Sequence, residues 1–220
     1  MNYKVLNKDN FKNTEDEILI SLIYAPVVTL GPGVRIGIWF QGCSIRCKGC
    51  ISKHTWEFNI NYQTTISSVI EQIIKYSNLY NTKSLTISGG EPFDQAESLF
   101  KLLVNLKNIG FSDIMVYSGY KFNYLQKKYS YILDYIDVLI DGPFIENKKT
   151  DKIYKGSSNQ KMYILNPNLK KIYKEYKKQS KNKNLQFVFK NGEIYLIGIP
   201  ESDFLKSFVN KIKDEIYRKI

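Results

Sequence analysis

Gln41-Gly42-Cys43-Ser44-Ile45-Arg46-Cys47-Lys48-Gly49-Cys50 contains all three cysteines of the chain. No thiol is left for a disulfide or a second cluster, so the three form one local site. Soft thiolates select zinc or iron–sulfur. Just before the cysteines, Val34-Arg35-Ile36-Gly37-Ile38-Trp39-Phe40 is apolar enough to be a buried strand. The cysteines then lie in a loop at the carboxyl end of that strand. Ala25–Gly33, with Pro26 and Pro32, reads as loop, and Glu17–Tyr24 as an earlier strand.

Downstream, strands alternate with helices. Thr64 or Thr65 caps a helix that shows Ile66, Val69, Ile70, Ile73 and Ile74 on one face. Ser84–Ser88 reads as a strand that breaks into Gly89-Gly90-Glu91-Pro92. A helix over about 95–109 follows, with Leu99, Leu102, Leu103 and Leu106 inward and Gly110 as its stop. Asp113–Tyr117 and Ile136–Ile140 are further strands, with a helical pattern over 121–135 between them. This alternation predicts βαβ crossovers and a mostly parallel sheet. Ligands of such sheets sit beyond the strands' carboxyl ends. The cysteine loop, Gly89-Gly90-Glu91, Ser118 and Asp141 all fall at such ends. After Pro143 the alternation stops. Leu185–Lys190 and Glu193–Ile197 flank Asn191-Gly192 as a hairpin. Pro200 opens an amphipathic helix with Phe204, Leu205, Phe208, Val209, Ile212 and Ile216. The expected organisation is a polar arm over 1–16 and one domain over 17–220, with a core to about 165 and the hairpin and helix over about 185–220.

At 220 residues and 43% hydrophobic, the chain is long and apolar enough for a sizeable core. No stretch reaches the length of a membrane span. Met1-Asn2-Tyr3-Lys4 does not read as a secretory signal. A cytoplasmic protein with reduced thiols is the expectation. The net charge is +11, carried mainly by scattered lysines. The one dense run, Lys170–Lys183, reads as a solvated face rather than a nucleic-acid site.

Two readings of the thiols stand side by side. Three cysteines on an iron–sulfur cube leave one iron without a cysteine ligand, open to a substrate or cofactor. Alternatively His54, the only histidine, completes a Cys3His zinc site in an RNA-interaction protein. Small zinc modules use the metal in place of a core, whereas this segment lies inside a large α/β pattern.

The spacing C-x3-C-x2-C is similar to the signature of radical S-adenosylmethionine (SAM) enzymes. Gly31-Pro32-Gly33-Val34-Arg35, Trp39-Phe40-Gln41-Gly42 and Thr55-Trp56 resemble the activating-enzyme branch, which includes the activases of pyruvate formate-lyase and of anaerobic ribonucleotide reductase. Ser88-Gly89-Gly90-Glu91-Pro92 resembles the second motif of that family, and Gly156-Ser157-Ser158-Asn159-Gln160 a segment of the reductase activases. The resemblance implies a partial (βα)6-type barrel with a C-terminal hairpin and helix. It implies that Cys43, Cys47 and Cys50 hold a [4Fe–4S] cluster whose fourth iron binds SAM. Gly89, Gly90 and Glu91 would meet the methionyl end, with Gly89 and Gly90 letting the backbone approach it. Gly49 and Ile51 would meet the adenine. Ser118 would add a polar contact, and Asn159 a contact to the ribose or the partner. The implied chemistry is radical formation from SAM and hydrogen abstraction from a glycine of a glycyl-radical enzyme, or else from a peptide or small molecule. A one-electron donor such as flavodoxin or ferredoxin is implied, and no acid–base residue is assigned. Gly49 and Ser52-Lys53 depart from the family, which often has an aromatic residue and Asn-Pro there.

Overall fold

The structure is a computed structural model that describes residues 5–6, 17–148, 150–180, 184–190 and 192–200, with Phe204, Phe208 and Asn210. Its strands are β1 (Val5–Leu6), β2 (Glu17–Val27), β3 (Arg35–Phe40), β4 (Phe58–Asn59), β5 (Gln63–Thr65), β6 (Ser84–Gly89), β7 (Asp113–Tyr117), β8 (Val138–Asp141), β9 (Lys161–Ile164), β10 (Gln186–Lys190) and β11 (Glu193–Ile197). Its helices are α1 (Ile66–Tyr80), α2 (Ala96–Asn108), α3 (Phe122–Lys128), α4 (Ser130–Leu133) and α5 (Lys170–Lys178).

Seven strands make one sheet in the order β5-β2-β3-β6-β7-β8-β9. The central strands β3, β6, β7 and β8 are parallel, while β2, β5 and β9 join their neighbours antiparallel. The expected α/β class with a parallel centre is met, and so is the C-terminal hairpin, β10–β11. The sheet is open: β5 and β9 are its two edges. Residues that alternate along a strand point to opposite faces. Ile114, Val116 and Leu139 therefore enter one core with Val69 and Ile73 of α1 and Leu99, Leu102 and Leu106 of α2. Met115, Val138 and Ile140 face the other way, against Tyr173 and Tyr176 of α5. A third cluster joins Leu22, Val27, Leu30 and Trp39 to Val188 and Ile197 of the hairpin. Both faces of the central strands are thus covered, as a parallel sheet requires.

Local signals set the helix ends. The hydroxyl of Thr65 accepts from Ser68 N at 3.1 Å to cap α1. The expected 121–135 helix is two pieces, α3 and α4, broken at Tyr129. Strand β9 had no sequence reading, because only its pairing with β8 distinguishes it from loop. Asp141 points no oxygen free at the strand end: one accepts from Phe122 N and the other from Lys161 N. Of the expected N-terminal arm, the described Val5–Leu6 pair with Phe58–Asn59. The expected final helix lies largely outside the described residues; Phe204 and Phe208 are helical. Among the described residues no helix is long and apolar enough to cross a membrane.

Candidate active site

The cysteine loop is stitched to the Gly89-Gly90-Glu91 turn by the backbone. Strands β3 and β6 are parallel neighbours, with Phe40 opposite Gly89. Beyond their ends Gly90 N donates to Phe40 O at 2.8 Å, and Glu91 N to Gly42 O at 2.9 Å. A Cβ on Gly90 would lie 2.1 Å from Gly42 O, and one on Gly89 2.5 Å from the Phe40 backbone, with Gly89 at φ +98°. These glycines are therefore required by the chain's own close approach. The sequence reading had given them only a ligand to approach.

Other side chains hold the loop in place. Gln95 Nε2 donates to Gln41 O at 2.9 Å. Asp94 accepts from Ser44 N at 2.6 Å and from Ser44 Oγ at 2.9 Å, and Tyr120 OH donates to it at 2.8 Å. Further along, Gly42 N and Cys43 N donate to Thr55 O and Trp56 O. Asp94 and Gln95 were missed by the sequence reading. Their only signal was their place just after Glu91-Pro92-Phe93.

Cys43, Cys47 and Cys50 line a single open cavity of about 500 Å³, together with Gly49, Ile51, Gly89, Gly90, Glu91 and Ser118. Residues from the ends of three parallel strands and from the cysteine loop thus meet in space. The cavity wall also includes Trp39, Trp56, Tyr117 and Phe144, and from beyond the sheet Leu196, Gly198, Ile199 and Pro200. Asn159 is not part of the wall. Its Nδ2 donates to Pro143 O at 2.8 Å, so its amide anchors a loop. Gly156 and Gln160 of the same segment do line the cavity. Ser157 is fully buried and accepts from Ile145 N.

Glu91 is 1% exposed. One oxygen accepts from Phe93 N and Ser118 Oγ, the other from Gly119 N. Burial pushes its carboxyl up to about 8, with Asp94 adding to the rise and the three donors pulling it back. Ser118 thus holds Glu91 in position. Burial also raises the Cys47 thiol and pushes Cys43 up to about 11. Thiolates here call for a cation beside them, which iron provides. Trp56 Nε1 is a buried donor with no hydrogen-bond partner among the described residues, on a residue that lines the cavity. Three soft donors on one wall, an unused donor and an acidic group on another fit an iron–sulfur cluster with a polar ligand beside it.

The donor geometry bears on the zinc alternative. Among the described residues, no three or more His, Cys, Asp and Glu side chains converge on one metal ion. A cube has no such need, because each thiolate binds its own iron. His54 is outside the cavity wall and feels Glu193 of the hairpin instead.

Arg35 is fully buried and takes its partners from within the fold. It pairs with Asp113 at 2.6 Å and donates to Leu85 O at 2.7 Å and to Thr86 Oγ1 at 2.8 Å. Tyr173 OH donates to the same carboxylate at 2.6 Å, and Tyr176 OH accepts from Gly31 N. In α5 the buried residues are Tyr173 and Tyr176, while Lys170, Lys171, Lys174, Lys177 and Lys178 are exposed.

Comparison with known proteins agrees with this geometry. A family model described as a 4Fe-4S single cluster domain matches residues 29–163. The chain is similar to anaerobic ribonucleoside-triphosphate reductase-activating proteins of several organisms. It is 34% identical to that of Enterobacteria phage T4 over 136 residues, covering 60% of this chain and 85% of the relative. With that of Haemophilus influenzae it shares 35% over 145 residues, 62% of this chain and 92% of the relative. With that of Escherichia coli it shares 34% over 149 residues, 64% and 96%. Motifs, cavity and relatives agree, and the chain belongs to the radical SAM activating-enzyme family, among the anaerobic ribonucleoside-triphosphate reductase-activating proteins with their 4Fe-4S single cluster domain.

Proposed function

We propose that this chain activates an anaerobic ribonucleoside-triphosphate reductase by radical SAM chemistry, as a single cytoplasmic domain that takes one electron from a donor such as flavodoxin or ferredoxin. The observation that carries this reading is the meeting of Cys43, Cys47 and Cys50 with Gly89, Gly90 and Glu91 on one cavity. In it, the three cysteines hold a [4Fe–4S] cluster and the open sheet is a partial barrel around SAM. When bound, such a cluster, held by Cys43, Cys47 and Cys50, would with SAM supply one-electron radical chemistry directed at a backbone glycine of the reductase.

The chain's own residues do the placing. Glu91, aligned by Ser118 Oγ and Gly119 N, offers a negative oxygen to a ligand ammonium once ionised. Trp39, Ile51 and Trp56 give the cavity apolar walls that exclude water from a reactive intermediate. Trp56 Nε1 offers a hydrogen bond, and Gly49 and Ile51, on the cavity wall, would meet the adenine. The cavity's open side leaves room for a protein loop.

The test is anaerobic reconstitution. The protein should turn brown, bind about four irons per chain, and release 5′-deoxyadenosine from SAM on reduction. Mixed with the reductase it should give a glycyl-radical EPR signal. Cys47→Ala should lose both the iron and the nucleoside product. A colourless protein with one tight zinc, or a Cys47→Ala variant that still cleaves SAM, would end this reading.

A further inference from the structure

The hairpin β10–β11 lies beyond residue 163, where the family match ends. The three relatives are matched over 85%, 92% and 96% of their length, yet they account for 60–64% of this chain. The hairpin is therefore an addition to the shared domain, and it is firmly fixed. Gln186 Nε2 donates to Pro26 O at 2.7 Å, and Thr29 Oγ1 to Ile197 O at 3.3 Å. Val188 and Ile197 are 4% and 1% exposed against Leu22, Val27, Leu30 and Trp39.

The register determines what the other face carries. Phe187 pairs with Leu196 and Phe189 with Ile194, and directly paired residues share a face. That face is apolar throughout, yet Phe187, Phe189 and Ile194 are 41%, 77% and 64% exposed. Phe208 of the chain's own C-terminal segment packs on Phe187, with ring centroids 5.2 Å apart, and still leaves these side chains open. Leu196 belongs both to this face and to the cavity wall. The Phe189–Ile194 pair is two residues further out, about 7 Å along the strands. One apolar face thus carries both the exposed Phe189 and Ile194 and the cavity-lining Leu196.

We infer that this apolar strip of the hairpin is the docking surface for the glycine-bearing segment of the reductase. The inference rests on the reading of the cavity as a site for a protein glycine. Such a substrate must reach the cavity as an extended piece of chain, and Leu196 of the strip lines that cavity. No charged residue belongs to the strip, although the chain carries +11, so its occupant is an apolar segment and not a polyanion. Large exposed apolar side chains at a continuous patch mark interaction sites, and aromatic anchors such as Phe189 dominate their energetics.

The experiment is binding of the purified reductase, by calorimetry under anaerobic conditions, to wild type and to the double variant Phe189→Ser/Ile194→Ser. Both side chains are exposed, so circular dichroism and the thermal midpoint should match wild type. The dissociation constant should rise about tenfold or more, and Phe189→Leu should keep most of the affinity. In radical formation, KM for the reductase should rise with kcat unchanged. Equal binding by wild type and the double variant overturns the inference, as does a wild type that does not bind the reductase. So does a wild-type dimer that the double variant splits in sedimentation, because the occupant is then a second copy. A wild type that binds through the strip but releases no 5′-deoxyadenosine from SAM leaves docking standing and removes the proposed chemistry instead.

Discussion

The matched domain, residues 29–163, and the segment after it are held together in different ways. In the first, the cysteine loop and the Gly89-Gly90-Glu91 turn are joined by backbone hydrogen bonds with no space for a Cβ between them. In the second, α5 and the hairpin attach through side chains: Tyr173 on Asp113, Tyr176 on Gly31 N and Gln186 on Pro26 O. A backbone junction tolerates almost no substitution, whereas a side-chain attachment can be acquired or altered one residue at a time. The donor set is accordingly built on the first kind, and the part of the wall that this chain adds is built on the second.

Four substitutions probe that contrast. Asp113→Ala should have the largest effect, because it strands a fully buried Arg35 guanidinium. The cost should be about 3–5 kcal/mol, read as a lowered urea midpoint. Gly90→Ala attacks the backbone junction. It should cost about 1–3 kcal/mol and also lower the iron bound after reconstitution, since Gly42 sits beside Cys43. A stability loss without iron loss would show that the junction does not position the cysteines.

The third prediction concerns pH. The Glu91 carboxyl has an ordinary value of 4.5 and is pushed up to about 8 in the fold. Between those values the folded state holds a proton that the unfolded state has released. Stability of the metal-free protein should therefore be greatest at low pH in this range and fall as pH rises toward 8. Glu91→Gln should flatten that slope in thermal midpoints taken from pH 5 to 8. The smallest effect belongs to the added segment. Tyr173→Phe removes one hydrogen bond to Asp113 while Arg35 remains, and should cost about 1 kcal/mol with iron content unchanged. If Tyr173→Phe rivals Asp113→Ala, the two regions are not held differently.

Most strands and the two long helices were legible in the sequence, because periodicity and caps are short-range. Ile66, Val69 and Ile73 define α1 by their spacing, and Thr65 caps it as its hydroxyl suggests. The three cysteines and the Gly-Gly-Glu turn were legible for the same reason. Arg35 was read only as part of the Gly31–Arg35 motif; its partner lies 78 residues away and no local pattern points to it. Asn159 was expected at the ribose or the partner because its amide looks available in a polar loop; only the fold brings Pro143 O to its Nδ2.

By itself, then, the sequence determined the clustering of the three cysteines, most of the element types and the strand ends on which the motifs fall. These follow from the chemistry of single residues and from spacings of two to four positions. The tertiary structure alone decided that the cysteine loop and Glu91 share a cavity, that Gly89 and Gly90 are required by the chain's own contacts, and that Leu196 and Ile199 complete the wall. Those facts depend on which strands pair and which faces are buried, and burial is a property of the whole assembled sheet.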